Sequence, residues 1–309
     1  MPKDQFHEHY KFLKPAERLS FEEIIRLTQL IVPLGVKKIR LTGGEPLLRP
    51  NLSELIGELT TQDGVEDVAL TTNGVLLAKQ AAELKASGLN RVTVSLDTLD
   101  PDVFAQMSGG FRGLDQVLEG IDAAITAGLA PIKINCVVQR GVNDHTVINL
   151  VERFRGTGVI VRFIEYMDVG NRNLWSRDRV VTSQDLLTQI SERWPTRAAQ
   201  ENYHGEVAER YVFKDGQGEI GFISSVSEPF CGSCTRARLS SEGVLYTCLF
   251  ATEGTDLRAP LRAGKTDDDM REIISNIWRA RGDRYSELRS GLRANEQPLK
   301  KIEMYYIGG

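Results

Sequence analysis

Cys231-x2-Cys234 is followed closely by Cys248, while the fourth cysteine, Cys136, stands far upstream. Thiols gathered in one segment of a long chain point to a metal more than to a disulfide framework. Three thiolates are soft ligands that select zinc or an iron–sulfur centre over hard cations. A structural zinc would want a fourth ligand, and His204 is the nearest histidine upstream. A 4Fe–4S cluster held by three cysteines keeps one iron open to a substrate atom. A segment that holds no metal is the third reading.

Cations accompany the cysteines. Arg236 and Arg238 follow at i and i+2, so in an extended segment both guanidinium groups share one face. Lys38 and Arg40 repeat that spacing near the C-terminal end of the first visible strand, and Lys133 and Arg162 add one cation each on two later strands. Singly these are ordinary surface residues, whereas together they suit a polyphosphate. Leu41-Thr42-Gly43-Gly44-Glu45-Pro46 ends the first strand with two glycines, which let backbone groups approach a ligand closely. Thr71-Thr72-Asn73-Gly74, Ser95-Leu96-Asp97 and Glu165-Tyr166-Met167 collect polar groups at three further strand ends, a pattern of function rather than packing. His7-x-His9 and His145 are weaker candidates, and Cys136 reads as a buried structural thiol. No G-x-S-x-G elbow or Walker loop is present, so any nucleotide is bound by other means.

The elements that must position these residues follow from periodicity. Short β-branched runs at Lys37 to Thr42, Asp67 to Thr72, Arg91 to Asp97, Ile132 to Val138 and Val159 to Met167 read as parallel strands. Helical segments lie between and before them at Phe21 to Ile31, Leu52 to Leu59, Leu76 to Ser87, Leu114 to Ala127 and Val147 to Phe154. Ser20 with Glu23 forms a capping box signal, and Gly88 and Gly128 sit where helices should stop. After Gly170 a helix near Leu186 to Trp194 precedes two strands within Arg210 to Val226, which read as an antiparallel annex. A strand at Val244 to Phe250, an acidic turn at Asp267 to Asp269 and a helix from there to about Arg281 complete the pattern.

The 309 residues suit one α/β barrel with a small extension, divided at 1–225 and 226–309. Hydrophobic residues at 41% and charged residues at 26% supply a sizeable core and exclude disordered, collagen-like and coiled-coil classes. A net charge of -4 gives no global attraction to nucleic acid or to a membrane surface, so any anion must be bound locally. No apolar run approaches the ~18 residues of a spanning helix, and the expected location is cytoplasmic.

Taken in order, Arg40-Leu41-Thr42-Gly43-Gly44-Glu45-Pro46, Thr71-Thr72-Asn73-Gly74, Val94-Ser95-Leu96-Asp97, Arg162-Phe163-Ile164-Glu165-Tyr166-Met167 and Phe230-Cys231-Gly232-Ser233-Cys234-Thr235-Arg236-Ala237-Arg238-Leu239 closely resemble the molybdenum-cofactor biosynthesis protein A family. These are the GTP 3',8-cyclases among radical S-adenosylmethionine (radical SAM) enzymes, and the resemblance runs from Met1 to Gly308-Gly309. It implies an incomplete, TIM-like (β/α) radical-SAM barrel without its first strand, closed by a C-terminal cluster-binding extension. S-adenosylmethionine would contact the Gly44 turn, Ser95 and Met167. GTP would meet Arg40, Thr71, Lys133, Thr235, Arg236 and Arg238, together with Lys38 and Arg162. A 4Fe–4S cluster would sit on Cys231, Cys234 and Cys248, and the Gly-Gly tail would reach into the site. The implied reaction takes the 3' hydrogen of GTP with a 5'-deoxyadenosyl radical and joins C3' to C8, giving 3',8-cyclo-7,8-dihydro-GTP. An electron donor, a cyclic pyranopterin monophosphate synthase acting on the product and a homodimeric state belong to the same implication.

One departure stands out. The family's radical-generating cluster sits on Cys-x3-Cys-x2-Cys, typically followed by Met-Pro, and this chain begins Met1-Pro2. No ligand of that N-terminal cluster, and hence no catalytic residue, is assignable here. The expectation is that Met1 is internal to a full cyclase carrying that second cluster, because a barrel without its first strand leaves an unpaired edge. The alternatives are an inactive homologue that binds GTP and one cluster, and a zinc-stabilised barrel of other chemistry. Any targeting peptide would lie upstream.

Overall fold

Repeated βα units lead off the computed structural model, which describes residues 13–171, 173, 175–289 and 301–307. In chain order they are α1 (Phe21–Ile31), β1 (Lys38–Leu41), α2 (Leu52–Thr60), β2 (Asp67–Thr72), α3 (Leu77–Ala86), β3 (Arg91–Ser95), α4 (Pro101–Met107), α5 (Leu114–Thr126), β4 (Lys133–Val138), α6 (Val147–Phe154), β5 (Ile160–Glu165) and α7 (Ser183–Arg193). The expected capping box is present, with Ser20 accepting from the Glu23 amide at 3.2 Å. Gly88 and Gly128 follow α3 and α5 with φ of +93° and +72°, a conformation that costs glycine little.

Strands β6 (Thr196–Ala199), β7 (Glu209–Phe213) and β8 (Glu219–Ile223) extend the same sheet to eight strands in the order β1-β2-β3-β4-β5-β8-β7-β6. Strands β1 to β5 run parallel, and β8 joins them parallel to β5. The sheet stays open, with β1 and β6 at its edges. An α/β fold of the incomplete-barrel kind is therefore present. The antiparallel annex is corrected, because the β7–β8 hairpin continues the main sheet. Gly221 lies opposite Arg162, and a Cβ there would come within 3.2 Å of the Arg162 stem, so a small residue suits this join.

Side chains alternate across a strand, and the two faces of this sheet differ sharply. Val68, Leu70, Val92, Val94, Ile134, Cys136, Val161, Phe163 and Phe222 are buried in one core with the helices. The opposite face carries polar and charged groups.

Beyond Ile223 the chain builds a small sheet of β9 (Arg238–Leu239), β10 (Val244–Tyr246) and β11 (Thr255–Asp256). Helices α8 (Arg258–Arg262), α9 (Asp267–Arg279), α10 (Tyr285–Leu288) and α11 (Met304–Ile307) follow. This extension folds back on α1, where Leu19, Leu27 and Leu30 pack with Leu257, Leu261, Met270 and Ile274. Arg26–Asp267 at 2.8 Å and Arg262–Glu23 at 2.6 Å flank the seam. Among the described residues no helix is long and apolar enough to cross a membrane.

Glu165 ties these parts together at the end of β5. It is 1% exposed and accepts from the amides of Ser183 (2.9 Å), Val226 (2.8 Å) and Ser227 (2.8 Å) and from the Ser227 hydroxyl. Hydrogen bonds to a charged group contribute about 1.5–3 kcal/mol each. Glu165→Gln, which turns an amide NH2 toward amide donors, should cost roughly one such bond or more. Thermal unfolding checks this, and equal midpoints would show that the charge is dispensable.

Candidate functional site

Register places Arg40 of β1, Asp67 and Thr71 of β2, Arg91 and Thr93 of β3, Lys133 and Asn135 of β4 and Arg162 of β5 on the polar face. Arg40 Nη1 donates to Thr71 Oγ1 at 2.8 Å and to Thr93 Oγ1 at 3.2 Å. Arg162 Nη2 reaches Thr93 Oγ1 at 3.5 Å. Arg91 Nε donates to both Asp67 oxygens at 2.9 and 3.0 Å, so that carboxylate is committed. Lys38 Nζ lies 3.1 Å from the centre of the Tyr203 ring.

Burial, then neighbouring positive charge, disfavours the charged forms of Arg40, Lys133 and Arg162, whereas the hydrogen bonds from Arg91 to Asp67 favour the Arg91 charge. The Lys133 ammonium is brought down to about 8 by burial and then by Arg162. The Arg162 guanidinium falls to about 10 by burial and then by Arg40. Arg40 is lowered by burial and Arg91, and Arg236 of the extension adds to the effect. Arg162 Nε and Asn135 Oδ1 are buried without a hydrogen-bond partner. Arg162 Nε is a donor that a bound anion would satisfy, whereas Asn135 Oδ1 is an acceptor and calls for a donor such as a hydroxyl or an amine.

The strand ends adjoin this face. Glu45 Oε1 accepts from the Leu47 amide at 3.0 Å and from Thr72 Oγ1 at 2.7 Å, and its Oε2 accepts from the Asn73 amide at 2.8 Å. It thereby staples the Gly43-Gly44 turn to the end of β2. No atom lies within 4 Å of where a Gly44 Cβ would stand, so its backbone faces open space. Ser95 ends β3 exposed. Asp97 Oδ1 accepts from the Val137 amide at 2.8 Å, yet burial pushes its carboxyl up to about 6. The Met167 carbonyl accepts from Asn173 Nδ2 at 2.8 Å. Next to it, Asp168 accepts from Tyr285 Oη at 2.5 Å and Lys301 Nζ at 2.6 Å and pairs with Arg289 at 2.8 Å.

In the cysteine segment, Arg236 Nη2 donates to Cys234 Sγ at 3.2 Å, and Arg281 Nη1 donates to the Cys234 carbonyl at 2.6 Å. Burial alone would raise the Cys234 thiol, but the Arg236 charge and the arginine hydrogen bonds outweigh it and bring it to about 7. Burial raises Cys248, and the charge on Cys231 adds to that. Arg238 is lowered to about 10 by burial and then Arg236, while Cys234 and Cys248 act on it in the opposite sense. The three thiols and two arginines thus share one neighbourhood. Among the described residues no three His, Cys, Asp or Glu side chains converge as a single metal ion requires, so zinc completed by His204 gains no support. A 4Fe–4S cluster spreads its ligands more widely than one ion does, and soft thiolates beside guanidinium groups suit its donor chemistry.

Residues 5–154 match the family model described as Radical SAM superfamily, and residues 159–287 match Molybdenum Cofactor Synthesis C. A GTP 3',8-cyclase of Xanthomonas axonopodis pv. citri is 52% identical over 100% of this chain and 91% of its own length. Those of Staphylococcus epidermidis (45%) and Acidothermus cellulolyticus (47%) match with the same two coverages. The chain belongs to the GTP 3',8-cyclase family.

Among the residues singled out in this cyclase-family chain, Arg40, Thr71, Lys133 and Arg162 come together on the sheet face. Thr235, Arg236 and Arg238 lie with the cysteines, and Gly44, Ser95 and Met167 lie at strand ends. Lys38 is turned toward Tyr203. Cys136 is fully buried and donates to the Asp97 carbonyl at 3.3 Å, as a structural thiol should. His145 is exposed with Asp144 at 3.8 Å. His7, His9 and Gly308-Gly309 lie outside the described residues. Arg91, Thr93 and Asn135 were readable, since each is an even number of positions from another inward residue on its strand. Tyr203, Glu206, Asp168 and Arg281 carried no periodic signal. A cavity of about 490 Å³ lined by Pro15, Leu19, Phe21, Arg49 and Arg262 lies apart from these groups.

Lys133 gives a pH test. Its folded value of about 8 lies below the 10.5 of a free lysine, so the unfolded chain binds more protons between the two. Stability should therefore rise with pH across that window. Lys133→Met should make the rise shallower, leaving the part due to Cys234, Arg162 and Arg238, and stabilise the ligand-free protein at pH 7 by about 1–3 kcal/mol. Denaturant unfolding at pH 7 and 10 checks both statements, and a destabilised variant would contradict them.

Proposed function

We propose that this chain converts GTP to 3',8-cyclo-7,8-dihydro-GTP, with the triphosphate on the crowded cations of the sheet face and S-adenosylmethionine at the strand ends. The observation that carries the reading is the crowding of Arg40, Lys133 and Arg162 with Arg236 nearby, each cation lowered in pKa or acting on one that is. A polyanion would reverse that penalty, because attraction between opposite charges strengthens where water is excluded. GTP in this reading meets Arg40, Thr71, Lys133, Thr235, Arg236 and Arg238, with Lys38 and Arg162 alongside. Arginine forks can grip phosphate oxygens in pairs and fix the nucleotide's orientation, whereas Lys133 acts as a point charge. Gly44 offers backbone to the cofactor, Ser95 a hydroxyl, and Met167 the end of β5.

Residues 226–309 form the cluster-binding extension in this reading, supported by the end of the main sheet at Ile223 and the separate sheet that begins at Arg238. Cys231, Cys234 and Cys248 would hold a 4Fe–4S cluster. S-adenosylmethionine, on taking up one electron, would supply the 5'-deoxyadenosyl radical with release of methionine. In this family that electron comes through a cluster on Cys-x3-Cys-x2-Cys, a motif residues 1–309 do not contain. The three-cysteine cluster would offer an iron without protein ligand for the guanine. The protein's own work is positional: it fixes the phosphates at one end and the base at the other, leaving the ribose toward the strand ends. Holding reactants in one geometry removes much of the entropic barrier to ring closure. An electron donor and a synthase that consumes the cyclic product belong to the same reading. A purely binding role has no support among the relatives, which are named as cyclases.

Two variants test this. Cys248→Ala should lose the iron and the visible absorbance of the extension after anaerobic reconstitution, whereas unchanged iron would exclude Cys248 as a ligand. Arg238→Ala should weaken GTP by about 1.5–3 kcal/mol while leaving S-adenosylmethionine nearly unaffected. Calorimetric titration of both ligands decides, and equal losses would indicate misfolding instead.

A further inference from the structure

The loop between β6 and β7 spans the two halves of the site. At one end Tyr203 lays its ring 3.1 Å from Lys38 Nζ. At the other, Gly205 has φ of +77°, and a Cβ there would come within 3.0 Å of the Ser233 carbonyl and 3.3 Å of Thr235 Oγ1. Glu206 holds the loop's shape, accepting from the Asn202 amide at 2.6 Å and from Asn202 Nδ2 at 3.2 Å. Arg210 Nη1 anchors its base on the Gln200 carbonyl at 2.7 Å. The Glu206 carboxylate also acts on the sheet cations, favouring the charged forms of Arg91, Lys133 and Arg162. The loop thus sets an aromatic ring on one cation proposed for GTP, while its carboxylate, held by Asn202, acts on the others through space and forms no ion pair with them among the described residues.

We propose that the Asn202–Glu206 loop is a gate that holds the place of the ligand, Tyr203 covering Lys38 and Glu206 serving as interim counter-anion until a polyphosphate displaces both. This rests on the reading that a polyphosphate binds the cation face. An internal anion offsets part of the cost of the empty site and must be outcompeted, so weakly charged ligands gain less than a triphosphate does.

Inorganic tripolyphosphate is the probe, because it has no base or ribose to contact the loop. Titrated calorimetrically at low salt, Glu206→Gln should bind it roughly three- to fivefold tighter than the wild type. The gain should shrink as salt rises, since the effect is one of charge. Tyr203→Leu, which keeps the carboxylate and frees Lys38, should also tighten binding, and it decides the matter if Glu206→Gln fails to give a cooperative melt. Unchanged or weaker binding by the deciding variant, with the wild type binding normally, overturns the gate alone. A wild type that binds neither tripolyphosphate nor GTP overturns the site reading, and the gate with it.

Discussion

The organising constraint of this molecule is the cost of crowding positive charges on one face of a sheet, with Lys133 buried, Arg91 and Arg162 half-buried and Arg40 at the exposed rim. Arg40, Arg91, Lys133 and Arg162 repel one another, and low polarity around them strengthens the repulsion. The opposite face meets this cost, because its Val, Ile, Leu and Phe residues are buried against the helices. Local devices lower it further. Thr71 and Thr93 accept from Arg40, Asp67 neutralises Arg91, and Tyr203 offers its ring to Lys38. A parallel sheet suits the task, since every strand can place such a residue at the same depth while its neighbours along the strand face the core.

The second requirement is that the cysteine segment sit at a fixed place relative to that face. Two buried carboxylates at the end of β5 provide this. Glu165 gathers the start of α7 and residues 226–227, while Asp168 gathers Tyr285, Arg289 and Lys301. The Phe250–Tyr285 stack, with centroids 4.7 Å apart, carries that anchoring to the loop after Cys248. Neither carboxylate needs to touch a ligand to matter, since displacing either would move the thiols relative to the cations.

How much of this was legible in the sequence depended on whether a residue obeyed a period. Strands β1 to β5 and their helices fall close to where alternation and helical spacing put them, and Lys38/Arg40 and the cysteine–arginine block were visible as patterns. β8 was assigned to an annex because hairpin signals report the turn and not the neighbour across the sheet; beside β5 it sets Phe222 against Phe163 in the core and Gly221 against Arg162 on the polar face. β6 and α4 are short and gave weak signals. Tyr203, Glu206 and Asp168 act through tertiary proximity alone, which a single sequence does not encode locally. The family resemblance covered the whole chain, and the matches at 45–52% identity bear it out.

The seam between α1 and the extension bears on how the chain is made. Arg26 and Asp267, like Leu27 and Met270, stand at opposite ends of the polypeptide. During synthesis from the N-terminus, Phe21, Ile24 and Ile25 of α1 can pack on the main core as it forms, whereas Leu27 and Leu30 stay uncovered until residues 257–274 leave the ribosome. For most of translation the nascent protein therefore presents a sticky helix that chaperones can hold. The parallel sheet, with its non-local pairings, forms slowly over the same interval. The cysteine segment lies between the last strand of the main sheet and these late residues, so it is flanked on both sides by parts of the fold that must come together from distant stretches of chain.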